Sequence, residues 1–189
     1  GEALAKALAA RGARVILSGR RRDELARVAG EASGETLILP FEAIDYDALP
    51  GVVGTALEWR GGVDFLFNNA GVSQRSLALD TEFDVYRRIM EIDFFAPLRL
   101  TQLVLPAMVE RKSGCIVITS SVAGKVGAPL RTAYSAAKHA CVGYYDALRA
   151  EVEKAYGVRV CVVTPGSVRT SIAKSAMTGD GSARGRSDE

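Results

Sequence analysis

Cys115-Ile116-Val117-Ile118-Thr119, followed at once by Ser120-Ser121, is a β-branched apolar run that stops on a cluster of hydroxyls. A run without polar alternation fits a strand covered on both faces, and hence a parallel sheet flanked by helices. Outward from it, Arg14 to Leu17, Thr36 to Leu39, Val63 to Phe67 and Val158 to Thr164 have the same character. Between them, apolar spacing predicts helices near Asp23 to Ala32, Tyr46 to Trp59, Phe83 to Arg111 and Thr132 to Tyr156, the third carrying Pro97 and Pro106. Strands alternating with helices in this way predict a doubly wound α/β fold with right-handed crossovers.

The chain has 189 residues, 48% apolar and 24% charged, the balance of an ordinary globular domain. Its formal net charge is +2 and its basic residues are dispersed apart from Arg20, Arg21 and Arg22, so no nucleic-acid partner is expected. Cys115, Cys141 and Cys161 stand far apart, with no Cys-x-x-Cys pair, and are expected to be buried small hydrophobes in a reducing compartment. No apolar stretch is read as approaching the roughly 18 residues of a membrane span, and no leader pattern opens the chain. A cytoplasmic protein without membrane contact is the expectation. Gly1 to Gly12 begins directly in a helical pattern without Met and stops at Gly12, while Thr178 to Glu189 is polar and rich in Gly and Ser. Both ends are expected to be cut, with one domain over 1–177 and a flexible tail or linker over 178–189.

In such a sheet, ligands gather where the chain leaves the carboxyl ends of the strands. Ser18-Gly19-Arg20-Arg21 follows the first strand; it offers guanidinium groups where an acidic residue would serve an unphosphorylated ribose, and so points to a 2′-phosphate and to NADP(H) over NAD(H). Glu42 and Ala43, after the second, can meet an adenine, although a solvent-exposed acid is an equal reading. Asn68-Asn69-Ala70-Gly71, after the third, packs amides and small residues into a turn that admits close backbone approach. After the fourth come Ser120-Ser121 and then Tyr134-Ser135-Ala136-Ala137-Lys138, in which Tyr134 and Lys138 share one helical face. A phenol with pKa near 10 needs roughly 4 kcal/mol of differential stabilisation to act as a base near pH 7, and a close ammonium can supply much of it. Pro165-Gly166-Ser167-Val168-Arg169-Thr170, after the fifth, offers a rigid turn, an amide at Val168 and a hydroxyl at Thr170 that could hold a carboxamide.

Taken in order, these motifs resemble the short-chain dehydrogenase/reductase family over nearly the whole chain. The resemblance implies a Rossmann-like fold and hydride exchange between a nicotinamide and a ketone, aldehyde or alcohol. It implies that Tyr134 is the acid/base, that Ser121 polarises the reacting oxygen, and that Lys138 both tunes Tyr134 and bonds the nicotinamide ribose. Asn69, Ala70 and Gly71 would line the adenosine side, Glu42 and Ala43 the adenine, and Pro165, Gly166, Val168 and Thr170 the carboxamide. The two long helices resemble those of the family's subunit interface, implying a homodimer or homotetramer.

Two departures narrow this. The family's glycine-rich loop and the strand before it are absent, and Gly1 resembles the last glycine of that loop at the start of a pyrophosphate-binding helix. Asp93 stands where the family pattern has Asn; it can accept but, when ionised, not donate, and its charge would favour a protonated Lys138. An altered relay is expected. His139 adjoins Lys138 yet points elsewhere, and Phe94-Phe95 reads as core or subunit contact. A nucleotide-binding protein without turnover and a sugar-nucleotide epimerase are the alternatives, the second opposed by the Asn-Asn-Ala-Gly turn. The substrate pocket would be shaped by Ser73 to Ser76, Val126 to Leu130 and the segment after Thr170.

Overall fold

The computed structural model describes residues 1–168 and 172–185, and the chain divides into two compact units, Gly1–Val63 and Asp64–Glu189. In the first, helix α1 (Glu2–Ala9) is followed by strand β1 (Val15–Gly19), α2 (Arg22–Glu31), β2 (Thr36–Pro40) and α3 (Leu49–Glu58). β1 and β2 are parallel, in register from Val15 with Thr36 to Gly19 with Pro40. Ala5, Leu17 and Val28 bury against one another and gather Val15, Leu25 and Ala29, which lays α1 and α2 on the β1 ladder. Outside this small core, Arg27 bridges Glu2 at 2.8 Å and Glu31 at 2.9 Å, and Lys6 reaches the same two carboxylates.

In the second unit, β3 (Phe65–Asn68), β4 (Gly114–Thr119) and β5 (Val158–Val163) form a parallel ladder in that order. A continuous helical run joins β3 to β4: α4 (Phe83–Met90), a π-helical segment (Glu91–Phe95) and α5 (Ala96–Arg111). α6 (Thr132–Tyr156) then leads into β5. The parallel strands with flanking helices are those read from the sequence, and the single turn of different geometry lies at Asp93.

Three expectations change. By length and composition, Phe83–Arg111 is long and apolar enough to cross a membrane, so the reading that no stretch approaches a span is corrected. The interruption by polar residues hides it in the sequence; α4 packs on α6, and α5 on α6, β3 and β4, while 33% of the apolar window is buried. Cys115 and Cys141 are buried, but Cys161 is exposed. β5 lies at one end of its ladder, and Arg159, Cys161 and Val163 project from its open face while Val158 and Val160 are buried. Residues 178–185 of the expected flexible tail carry defined bonds: the Glu82 amide donates to the Gly179 carbonyl at 2.9 Å and the Arg184 amide to the Ala176 carbonyl at 2.8 Å.

Candidate active site

Lys138 sits one turn along α6 from Tyr134, with its Nζ 5.6 Å from the Tyr134 ring centroid. The ammonium donates to the Thr119 carbonyl at the end of β4, at 3.1 Å, and lies 3.1 Å from Asp93 Oδ2. Lys138 and Asp93 are both buried, Asp93 completely. Asp93 Oδ1 accepts the Val72 amide at 2.7 Å, so the carboxylate ties the loop after β3 to α6. Its other oxygen has no hydrogen-bond partner of good geometry, and among the described residues the ammonium is its close cation.

Why Asp93 reaches this place follows from Pro97. A proline has no N–H to give to the carbonyl four residues back, and in the helical run that carbonyl belongs to Asp93. The helix widens into π geometry there, as helices do at functional positions. The freed Asp93 carbonyl accepts the Cys141 thiol at 3.1 Å instead. Burial pushes that thiol up to about 11, so Cys141 serves as a neutral donor. Burial also pushes the Asp93 carboxyl above its ordinary value, against the opposing pull of Lys138. For Lys138 burial, the largest single influence, works the other way, but Asp93, Tyr134 and Cys141 together outweigh it and hold the ammonium above its usual value.

Ser121 caps a short turn at Val122–Gly124, its Oγ accepting the Ala123 amide at 3.1 Å. That leaves its hydroxyl hydrogen for another oxygen. The turn is drawn tightly onto α6: a Cβ on Gly124 would stand 2.6 Å from both the Lys138 carbonyl and Ser120 Oγ, and Ser120 Oγ donates to that carbonyl at 3.0 Å. Pro165 joins the same cluster, its carbonyl accepting the Val122 amide at 3.1 Å. Nothing lies within 4 Å of the Cβ position of Gly166, and Val168 is exposed. Thr170 lies outside the described residues. The Tyr134 ring is buried, and its hydroxyl makes no hydrogen bond among the described residues.

The Asn-Asn-Ala-Gly turn divides its labour. Asn68 Nδ2 donates to Thr101 Oγ1 at 3.0 Å and to the Tyr145 hydroxyl at 3.2 Å, fastening β3 to α5 and α6. Asn69 Oδ1 accepts from Thr119 Oγ1 at 3.1 Å. The Cβ position of Gly71, which the resemblance places on the adenosine side, is 3.2 Å from Asp93 Oδ2 and 3.3 Å from Lys138 Nζ; the ion pair passes beneath this glycine and leaves little room for a side chain. His139 Nδ1 pairs with the Ser135 carbonyl at 2.8 Å, within its own helix.

The three segments expected to shape a substrate pocket meet. The Ser76 amide donates to the Leu130 carbonyl at 3.2 Å, the Arg75 amide to Met177 at 2.9 Å, and the Ala128 amide to Ser135 Oγ at 3.4 Å. At their centre is the buried Gln74, which the sequence reading includes only as part of Ser73 to Ser76, since a glutamine between Ser and Arg carries no signal of its own.

In the first unit, Ser18 and Gly19 pair with Leu39 and Pro40, and the Phe41 amide donates to the Gly19 carbonyl at 3.1 Å. This register brings Arg20 within 3.8 Å of Glu42, both partly exposed. Arg21 is the residue before α2. Ala43 lies in the turn closed by the Asp45 amide on the Glu42 carbonyl at 3.1 Å. Gly1 precedes α1, its carbonyl taking the Ala5 amide at 2.9 Å.

Residues 1–180 match the family model for short chain dehydrogenases. The chain belongs to that family. Among curated relatives of this short-chain dehydrogenase, mouse dehydrogenase/reductase SDR family member 7B is 42% identical over all of this chain and 60% of its own length. The zebrafish protein of that name is 43% identical, over all of this chain and 63% of its own. The chain therefore spans about three fifths of these relatives. Among solved structures, a short-chain dehydrogenase from Streptomyces avermitilis matches with a TM-score of 0.84 and 32% identity, over 94% of this chain and 65% of that one. A 3-oxoacyl-[acyl-carrier protein] reductase from Brucella melitensis with bound NAD matches with a TM-score of 0.82 and 31% identity, over 90% of this chain and 67% of its own.

Proposed function

We propose that the protein is an NADP(H)-dependent oxidoreductase that interconverts a ketone or aldehyde with an alcohol, with Tyr134 as the acid/base. The observation that carries this reading is Lys138: its Nζ donates to the Thr119 carbonyl and pairs in charge with Asp93, beside Tyr134, and its three N–H groups leave donor capacity for a ribose hydroxyl. A nicotinamide dinucleotide fits such a donor, and when bound it would supply the hydride that reaches the carbonyl carbon. Tyr134 gives its proton to the carbonyl oxygen during reduction and takes it back during oxidation. Ser121, with its Oγ already accepting from Ala123, donates its hydrogen to the same oxygen and stabilises the charge that develops there. Asp93 keeps Lys138 charged and aimed.

The preference for NADP(H) rests on the end of β1, which offers Arg20 and Arg21 and no acid within Ser18–Gly19. Exposed Phe83 and Phe95 border a groove on α4 with Tyr86 and Met90, an apolar surface of the kind that supports the reading as a homodimer or homotetramer.

The test is oxidation of NADPH and of NADH by the full-length protein across a panel of ketones and aldehydes. Turnover with at least one carbonyl, faster with NADPH at low cofactor concentration, is the expected result. Cofactor fluorescence changes without any turnover would instead establish a nucleotide-binding protein.

A further inference from the structure

Gln74 is wholly buried, yet its amide uses both ends. Oε1 accepts the Ala133 amide at 2.8 Å; Nε2 donates to Thr81 Oγ1 at 2.9 Å and Ser76 Oγ at 3.0 Å, with Thr132 Oγ1 at 3.5 Å. Ala133 is the second residue of α6, where the backbone N–H has no partner inside the helix. The residue before the helix, Arg131, makes no side-chain cap. The cap for the catalytic helix is therefore delivered by a residue distant in sequence, and it lands beside Tyr134.

The backbone of Gln74 holds a second element. Met177 pairs with it as a short parallel bridge: the Met177 amide donates to Ser73 at 2.8 Å and the Arg75 amide to Met177 at 2.9 Å. Met177 pairs in turn with Ala183. Its side chain packs on the cluster of Val85, Ile89, Ala133 and Ala137, which includes the buried face of the first turns of α6. A Tyr86 hydroxyl 3.0 Å from Thr132 Oγ1 closes the group.

We propose that Gln74 is a positioning residue: it fixes the first turn of α6, and with it Tyr134, and couples that turn to the segment 172–185. The amide serves both sides, one end accepting from a backbone N–H while the other donates to two hydroxyls, and the acceptor end is the one that caps the helix. The consequence for turnover rests on the reading of Tyr134 as proton donor; the consequence for the helix does not.

The experiment compares Gln74→Met and Gln74→Glu in the full-length protein. Gln74→Met keeps the volume and removes the cap. Amide hydrogen exchange without cofactor should speed up at least tenfold at Ala133 and at Met177. Displacement of a proton donor by a fraction of an ångström should lower kcat ten- to a hundredfold, with KM for NADPH unchanged within twofold. Gln74→Glu keeps the acceptor for Ala133 and should restore protection there and most of kcat, which a loss of general stability would not do. Unchanged exchange at Ala133 in Gln74→Met overturns the proposal, as does an unchanged kcat in a variant whose exchange has risen. Absence of turnover in the unmutated protein counts against the reading of Tyr134 alone, and leaves the exchange result to decide the role of Gln74.

Discussion

Asp93 Oδ2 and Lys138 Nζ stand 3.1 Å apart with both side chains shut away from solvent. The family pattern implies Asn at this position and a proton relay through it; here the position forms a direct ion pair. Removing one member of such a pair leaves an uncompensated charge, which typically costs about 3–5 kcal/mol. Asp93→Asn should therefore destabilise the protein by about 3 kcal/mol near neutral pH. Lys138 is raised in the folded protein, so its contribution is fully present below its ordinary value and is lost as pH rises through the raised one. In the variant, burial, the largest influence on Lys138, is no longer opposed by a carboxylate and depresses it. The deficit should shrink as pH rises toward about 10. Urea unfolding of both proteins at pH 7 and pH 10 checks this, and an equal deficit at the two values would contradict it.

Gly71→Ala tests how tightly the pair is enclosed. The added Cβ would meet Asp93 and Lys138 at 3.2–3.3 Å, and neither group can move without losing the other. A loss of about 1–3 kcal/mol is expected for overpacking of this kind, together with a fall in turnover. Gly127→Ala, where nothing stands within 4 Å, is the control and should fall within about 0.5 kcal/mol of the parent.

Cofactor choice should respond to the Arg20 and Glu42 contact. Glu42 lies 3.8 Å from the guanidinium that is proposed to hold a 2′-phosphate, and competes with it. Glu42→Gln should tighten NADPH relative to NADH. Arg20→Gln should weaken NADPH by about tenfold or more, the scale of a charge-assisted hydrogen bond, and leave NADH within twofold. Fluorescence titrations with both cofactors give the ratios.

How much of this was legible in sequence depends on range. Tyr134 and Lys138 could be placed because a helix sets positions i and i+4 on one face, and the strand ends could be placed because apolar runs stop there. Cys115 and Cys161 both sit in β-branched apolar runs, yet one is buried and the other exposed, because position in the ladder is a tertiary fact. Asp93 was visible as an unusual residue, but its direct contact with Lys138 depends on the π turn before Pro97. Gln74 and Ala133 are brought together only by folding, so no local pattern marks either. The close approach of Gly71 to Asp93 and Lys138 likewise has no local signal, because residues distant in the chain create it.

On the first unit, Arg27 and Lys6 hold Glu2 at about 2, well below the usual 4.5 for its carboxyl, chiefly through the hydrogen bond from Arg27. A depressed carboxyl contributes stability above its ordinary value and loses it as pH falls toward the lowered one. Arg27→Ala should return Glu2 part of the way to its ordinary range, with Lys6 holding the rest, read by carboxyl NMR titration. Added salt should weaken the effect in the parent, since these groups are at the surface.

The most direct test of the proton-transfer reading is Tyr134→Phe in the full-length protein, assayed for carbonyl-dependent NADPH oxidation alongside NADPH binding. The ring that lies beside Lys138 is kept and only the hydroxyl is removed. The predicted result is a fall in kcat of at least a thousandfold with NADPH affinity unchanged within a few-fold. Turnover within tenfold of the parent would contradict the assignment of Tyr134 as the acid/base.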